Sequence, residues 1–96
     1  MKIDAIMIKT GDNVANALRD LTNAETVTVG KGDDKTQVKI LEDIPFGHKF
    51  AVVDIAQGDH IIKYGEIIGR ATRPIAQGAH AHIQNIESLR GRGDLQ

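Results

Sequence analysis

No cysteine occurs among the 96 residues, so the chain can build neither a disulfide framework nor a thiolate metal site. Tryptophan is absent as well, and Phe46, Phe50 and Tyr64 are its only Phe or Tyr residues, which leaves the core to Ile, Val, Leu and Ala. Charge of one sign is also lacking. Twelve Lys and Arg against thirteen Asp and Glu give a net charge of −1. With no basic stripe and no interleaved aromatics to hold phosphates or stack bases, nucleic acid is excluded as an expected partner. Long apolar runs are missing too: residues 5–8 are too few for a signal-peptide core and far short of the ~20 residues of a membrane span. These absences predict a soluble, cytoplasmic protein that no membrane holds.

What is present favours strands. Ten glycines and many β-branched residues in one short chain point to a single all-β domain of short strands and tight turns, with little helix. Ala5 to Ile8 reads as a first strand, stopped by Thr10 to Asn13. Val14, Ala17, Leu18 and Leu21 then fall at helical spacing, with Asp12 or Asn13 as a possible cap. An internal repeat argues against that helix. Ala17–Val27, Ala51–Ile61 and Ala71–Ala81 share one pattern: Ala first, Asp or Pro fourth, Leu or Ile fifth, and a small residue eighth. Pro74 would damage a helix interior, while Gly58 and Gly78 suit positive φ, so each copy is expected to be a strand, a turn and a second strand. Val14 to Leu18 is therefore assigned as strand.

Thr26 to Val29 and Thr36 to Leu41 alternate polar and apolar residues around Gly30 to Asp34, the signature of a hairpin. Pro45 and Gly47 fit the second and fourth places of a type I turn after Ile44. The strand that follows, starting at His48, sends His48 and Lys49 in opposite directions, so both reach one ligand only if the chain bends there. Ile61 to Ala71 reads as two apolar strands broken at Gly65, with a close backbone approach at Gly69. Within it Lys63 and Tyr64 are candidates to touch a ligand, but the favoured expectation is that Lys63 is solvated and that Tyr64 packs its ring, with its hydroxyl bonded to backbone. His60 is expected to be a surface residue. The end of the chain, residues 87–96, has no apolar periodicity and is assigned as a flexible tail after a domain spanning 1–86. Its Arg92, Gly93 and Asp94 resemble an adhesion tripeptide too short to carry a reading.

The stretch from Ile75 to Asn85 holds the densest chemistry. If the residues after Gly78 form a strand, His80, His82 and Gln84 lie on one face and Ala81 and Ile83 on the other. Two imidazoles side by side can ligate a metal, exchange protons or bind an anion, and they can equally be a solvated strand edge.

Several motifs in order, Asp12 to Ala15, Ile44-Pro-Phe-Gly-His-Lys-Phe-Ala51, Ile62-Lys-Tyr-Gly-Glu66, Ile68-Gly-Arg-Ala71 and Gly78-Ala-His-Ala-His82, resemble the small SAF-type domain of the altronate and galactarate dehydratase family. The resemblance covers roughly residues 8–86. It implies a β-clip fold of bent hairpins and a role as small subunit or N-terminal domain of a sugar-acid hydro-lyase, inactive alone, beside a large catalytic subunit. The small chain of sulfolactate sulfo-lyase is a close relative, and a non-enzymatic SAF-like binding or assembly module is the alternative. The family implies a divalent metal (iron, manganese or magnesium) held mainly by the large partner, and whether this chain ligates it is left open, as is a homo-oligomer. His80 and His82 are the expected catalytic pair for a hydroxy-acid substrate, and His48, Lys49 and Asn85 are the expected substrate contacts. The family pattern often has a third His where this chain has Gln84, a poor metal ligand and no base.

Overall fold

The computed structural model describes residues 2–89, and among them there is no helix. Among these residues nine strands form two sheets. They are β1 (Ala5–Ile6), β2 (Val14–Ala17), β3 (Thr26–Lys31), β4 (Asp34–Lys39), β5 (Lys49–Ala51), β6 (His60–Lys63), β7 (Glu66–Ala71), β8 (His80–Ala81) and β9 (Ile86–Ser88). One sheet runs β4-β3-β1-β2-β5-β8 and the other β6-β7-β9. Only β1 and β3 pair in parallel; the remaining strand pairs are antiparallel. The all-β expectation holds, and Val14 to Ala17 is strand rather than helix.

The repeat is structural. In each of the three copies the first residue ends a strand, the fifth makes an isolated bridge, and the tenth begins the next strand. The eighth residue has positive φ in each: Ala24, Gly58 and Gly78. A fourth copy, Ile40–Phe50, follows the same backbone course but escapes the sequence pattern because Ile replaces Ala at its first place. The corners associate in pairs, Leu21 bridging Ile44 and Ile55 bridging Ile75. The fourth-place Asp explains part of that association. Asp20 accepts the backbone N–H of Phe46 at 2.8 Å, Asp43 that of Asn23 at 3.0 Å, and Asp54 that of Gln77 at 2.9 Å. Each carboxylate thus satisfies a turn donor of the facing corner. First- and fifth-place side chains (Ala17, Leu21, Ile40, Ile44, Ala51, Ile55, Ala71, Ile75) are all buried.

Two apolar clusters lie on either side of β2 and β5. Ala15, Leu21, Val29, Ile44 and Phe50 belong to one, and Val14, Ala51, Ile61, Ile75 and Ala81 to the other, so these short strands are buried on both faces. The β6–β7 hairpin is fastened to the rest through Asp12 and Asn13. Asp12 is 5% exposed and accepts backbone N–H groups from Ile8, Lys9, Tyr64 and Gly65 at 2.8–3.2 Å. Burial alone would raise its pKa, but these donors hold the carboxyl below its ordinary value. Asn13 accepts from Ile62 N and donates to the His60 carbonyl.

Several local expectations change. β1 stops at Ile6, two residues early. The β3–β4 hairpin turns at Gly32 and Asp33 alone, Lys31 pairing with Asp34, so the strands extend into the expected tip. The Pro45 turn falls one residue later: His48 N–H bonds to the Pro45 carbonyl, and Gly47 with φ of 83° stands third, as in a type II turn. Gly69 is a close approach as expected, since an added Cβ would sit 2.7 Å from the Glu87 carbonyl oxygen. That neighbour lies in β9, which therefore includes Glu87 and Ser88, the first two residues of the expected tail. Residues 90–96, with the Arg92–Asp94 tripeptide, lie outside the described residues.

Candidate functional site

His48, His80 and His82 come together. Ring centroids are 4.1 Å apart for His48 and His82, 5.1 Å for His48 and His80, and 5.5 Å for His80 and His82, with interplanar angles of 15–21°. His48 Nδ1 and His80 Nε2 are 2.9 Å apart and share one hydrogen. One nitrogen from each ring lies within 4.8 Å of the others.

Local chemistry explains how each ring is presented. In two corners the ninth residue is an acid that bonds back to the sixth N–H, Glu25 to Thr22 and Asp59 to Ala56. In the corner Ile40–Phe50 the sixth residue is Pro45, which has no N–H, so the ninth place is released from that duty and holds His48. His80 is the tenth residue of its corner and pairs across strands with Phe50, so alternation puts it on the face that Phe50 and His48 share. The strand expected after Gly78 ends at Ala81, and residues 82–85 form a turn. His82 therefore leaves at the end of β8, where it both stacks on His48 and lines the neighbouring cleft.

That cleft, of about 300 Å³, is lined on its other sides by Lys49, Lys63, Tyr64, Ile83 and Ile86, among others. It touches the trio only through His82. Lys49 is half-buried, and burial together with the charge of Lys63 pushes its pKa down. Tyr64 is not packed between strands as expected: it stands in the β6–β7 turn, half exposed, with the Lys63 ammonium 4.8 Å from its ring centre. Lys63, expected to be solvated, is only partly exposed. His60 is exposed at the start of β6, as expected.

Asn85 lies at the end of the turn that carries His82. Its side chain is buried, with Oδ1 accepting from His82 N at 2.9 Å and Nδ2 donating to the His80 carbonyl at 2.8 Å. These bonds brace the histidine turn. Two further residues support the trio: Gln84, noted in the sequence only as a poor metal ligand, and Glu42, which the sequence did not single out. Gln84 Nε2 lies 3.0 Å from His80 Nδ1, and Glu42 Oε2 accepts the His80 backbone N–H at 3.0 Å. Gln84 had a visible signal, two residues beyond His82, but Glu42 acts across a pairing that only the folded chain reveals.

Burial favours the neutral form of two of the rings, His80 and His82. Burial lowers the His80 pKa, helped by His48 and opposed by Glu42, and burial then Lys49 lower that of His82. Neutral imidazoles can accept protons or ligate a cation. The Nδ1 of His82 is buried with no hydrogen-bond partner among the described residues. A set of three imidazole nitrogens suits a first-row transition ion and not magnesium, which prefers oxygen ligands.

The altronate/galactarate dehydratase SAF domain matches residues 3–89. The chain belongs to this SAF-domain family. Altronate dehydratase of Escherichia coli is 46% identical to this SAF domain over 80 residues, 83% of the chain but 15% of the relative. The Bacillus subtilis altronate dehydratase is 36% identical over 83 residues, 16% of its length. The domain thus spans about one-sixth of these enzymes. It spans 99% of the (2R)-sulfolactate sulfo-lyase subunit alpha of Chromohalobacter salexigens, at 33% identity over 93 residues and 94% of the chain. The all-β architecture of bent corners is that of the SAF domain.

Proposed function

We propose that this SAF domain is the small subunit, or N-terminal domain, of a sugar-acid dehydratase of the altronate/galactarate family, and that it completes an active site held mainly by a large subunit. The observation that carries the reading is the stack of His48, His80 and His82, whose His82 lines the cleft that also holds Lys49. Dehydrating a hydroxy acid requires a proton to be taken from the carbon beside the carboxylate and the hydroxyl on the next carbon to leave as water. His80 and His82 are neutral bases suited to the first step. The shared hydrogen between His48 and His80 gives a path by which a proton taken by one ring reaches the other, which then serves as acid toward the leaving hydroxyl. Lys49, half-buried and cationic, meets the carboxylate. Asn85 and Glu42 hold the His80–His82 backbone in register, so they act as positioning residues. A divalent metal, when bound, supplies Lewis-acid polarisation of the carboxylate or hydroxyl. A cytoplasmic setting belongs to the same proposal.

The second reading is the small subunit of a sulfolactate sulfo-lyase, favoured by the match along nearly the whole of a subunit alpha. Both readings predict a large partner chain. Affinity capture of the tagged chain, followed by assay of the recovered pair on altronate, galactarate and sulfolactate, separates them. Water elimination from a sugar acid supports the first, and sulfite release supports the second. Recovery of no partner together with no activity on any of the three leaves a non-enzymatic assembly module and ends both.

A further inference from the structure

We propose that His48, His80 and His82 are a metal site of this chain itself, taking a first-row transition ion of the iron, cobalt or zinc class through three imidazole nitrogens and leaving positions open for an oxygen ligand. The reading above leaves the metal to a larger partner, so this inference goes beyond it and rests on the trio alone; in the metal-bound chain His48 and His80 ligate instead of passing a proton.

Spacing is the first argument. Imidazole–metal bonds of ~2.0–2.1 Å put two ligands of one ion on the order of 3 Å apart. His48 Nδ1 and His80 Nε2 already stand at 2.9 Å, and a nitrogen of each ring lies within 4.8 Å of the other two, so turning the stacked rings out of parallel would bring the three nitrogens onto one ion. The second argument is the buried Nδ1 of His82, which has no partner among the described residues. A buried polar atom without a partner is costly, and a cation would engage its lone pair.

The surroundings supply what ligands require. A metal-bound imidazole usually donates its other ring N–H to a fixed acceptor. Gln84 stands 3.0 Å from His80 Nδ1. Without an ion, the Gln84 amide donates to Nδ1 and the His80 Nε2–H points to His48. With an ion on Nε2, the single proton of neutral His80 sits on Nδ1 and Gln84 presents its carbonyl instead, so no proton is gained or lost. Gln84 is thus a positioning residue. All three donors are uncharged, so the ion retains its full charge beside Lys49. The ligand drawn to its open positions is therefore anionic, of the hydroxycarboxylate class.

Cobalt(II) chloride titrated into the full chain, followed by visible absorption and calorimetry, is expected to saturate at one ion per chain, whereas magnesium chloride is expected to bind far more weakly. His48→Ala, His80→Ala and His82→Ala should each weaken cobalt by at least ~10-fold, the lower range for loss of even an outer partner. Gln84→Ala should weaken it by about 10-fold and Gln84→Glu should restore it. His60→Ala, remote and exposed, should leave it unchanged. Circular dichroism confirms the fold of each variant, and if one unfolds, the remaining variants and Gln84→Ala decide. Failure to saturate, or a loss in His60→Ala equal to that in His82→Ala, overturns the site. Cobalt binding at the trio without lyase activity in the reconstituted pair keeps the metal site and removes the lyase reading. Activity from a chain that takes no cobalt removes the metal site alone.

Discussion

The corners Ala17–Val27 and Ala71–Ala81 follow the same backbone course and end differently. In the first, the ninth residue is Glu25, which takes the Thr22 N–H and both terminal nitrogens of Arg19, so the corner closes on itself. In the second, the ninth residue is Ala79, the tenth is His80, and the polar atoms that follow look outward to other rings. A corner whose polar groups are satisfied internally is scaffold, and a corner that leaves them to meet at a shared point is a site.

The largest expected effect comes from disturbing the backbone beneath the open corner. Gly78 has φ of 89°, and an added Cβ would overlap the Lys39 carbonyl oxygen. Gly58 occupies the same place in its own corner with φ of 90° and nothing within 4 Å. Gly78→Ala should therefore cost roughly 4 kcal/mol, the left-handed penalty plus a backbone overlap, and Gly58→Ala only about 1–2 kcal/mol. Urea unfolding of both variants measures the difference. Equal losses would mean that crowding beneath the open corner contributes nothing.

Changing the rings should separate activity from stability. In the reconstituted pair, His80→Ala with His82→Ala is expected to lower turnover by about 10²-fold or more, the range for loss of a positioned acid or base. Since these side chains are only partly buried, stability should change by about 1 kcal/mol or less. Thr26→Ala, at the tenth place of the closed corner, should leave turnover unaltered. Full activity in the double variant would remove the distinction between the two corners.

How much of this was legible in the sequence depends on how local the cause was. Three corners could be read because Ala, Asp or Pro, and Leu or Ile recur at fixed spacing, and that repeat correctly outweighed the helical spacing of Val14, Ala17, Leu18 and Leu21. The fourth corner was hidden by Ile40. Its importance is that it delivers His48, and nothing within residues 40–50 announces that His48 will stack on His82, because that contact depends on β5 pairing with β8. The adjacency of His80 and His82 followed from alternation, whereas the brace by Asn85 needed the turn at 82–85. Sequence alternation also placed Lys49 opposite His48, and the two share a neighbourhood only because His82 sits where the strand ends. The SAF-domain resemblance was readable from ordered motifs, while the role of each polar side chain required the corners to be paired.

Acid provides a smaller test. Its bond to Arg19, and then that to the Thr22 N–H, hold the Glu25 carboxyl below its ordinary value. A carboxylate with a depressed folded-state pKa contributes stability that is fully present above the unfolded value of about 4.3 and is lost as pH falls through the lower folded value. Glu25→Gln should be less stable than the parent near neutral pH and should converge with it in acid, as followed by thermal unfolding at stepped pH. A gap that stays constant down to strongly acidic pH would show that the closed corner owes nothing to this charge.

The smallest expected effect is a gain. Ala24 is the only eighth-place residue that is not glycine, and it holds φ of 79°, where its Cβ crowds the following carbonyl oxygen. The other three corners adopt the same sign of φ with Gly47, Gly58 and Gly78. Ala24→Gly relieves the left-handed penalty of about 1–2 kcal/mol but gives the unfolded chain more freedom, worth roughly 0.5–1 kcal/mol. The net should be a stabilisation of about 0.5–1 kcal/mol, seen as a higher urea midpoint at unchanged slope. The Ala24 N–H bonds to the Ile40 carbonyl at 2.7 Å and glycine keeps that donor, so the pairing of the two corners is preserved. A lower midpoint would mean that the Ala24 methyl contributes packing that outweighs its strain, and that the closed corner differs from the open one in its backbone as well as in its side chains.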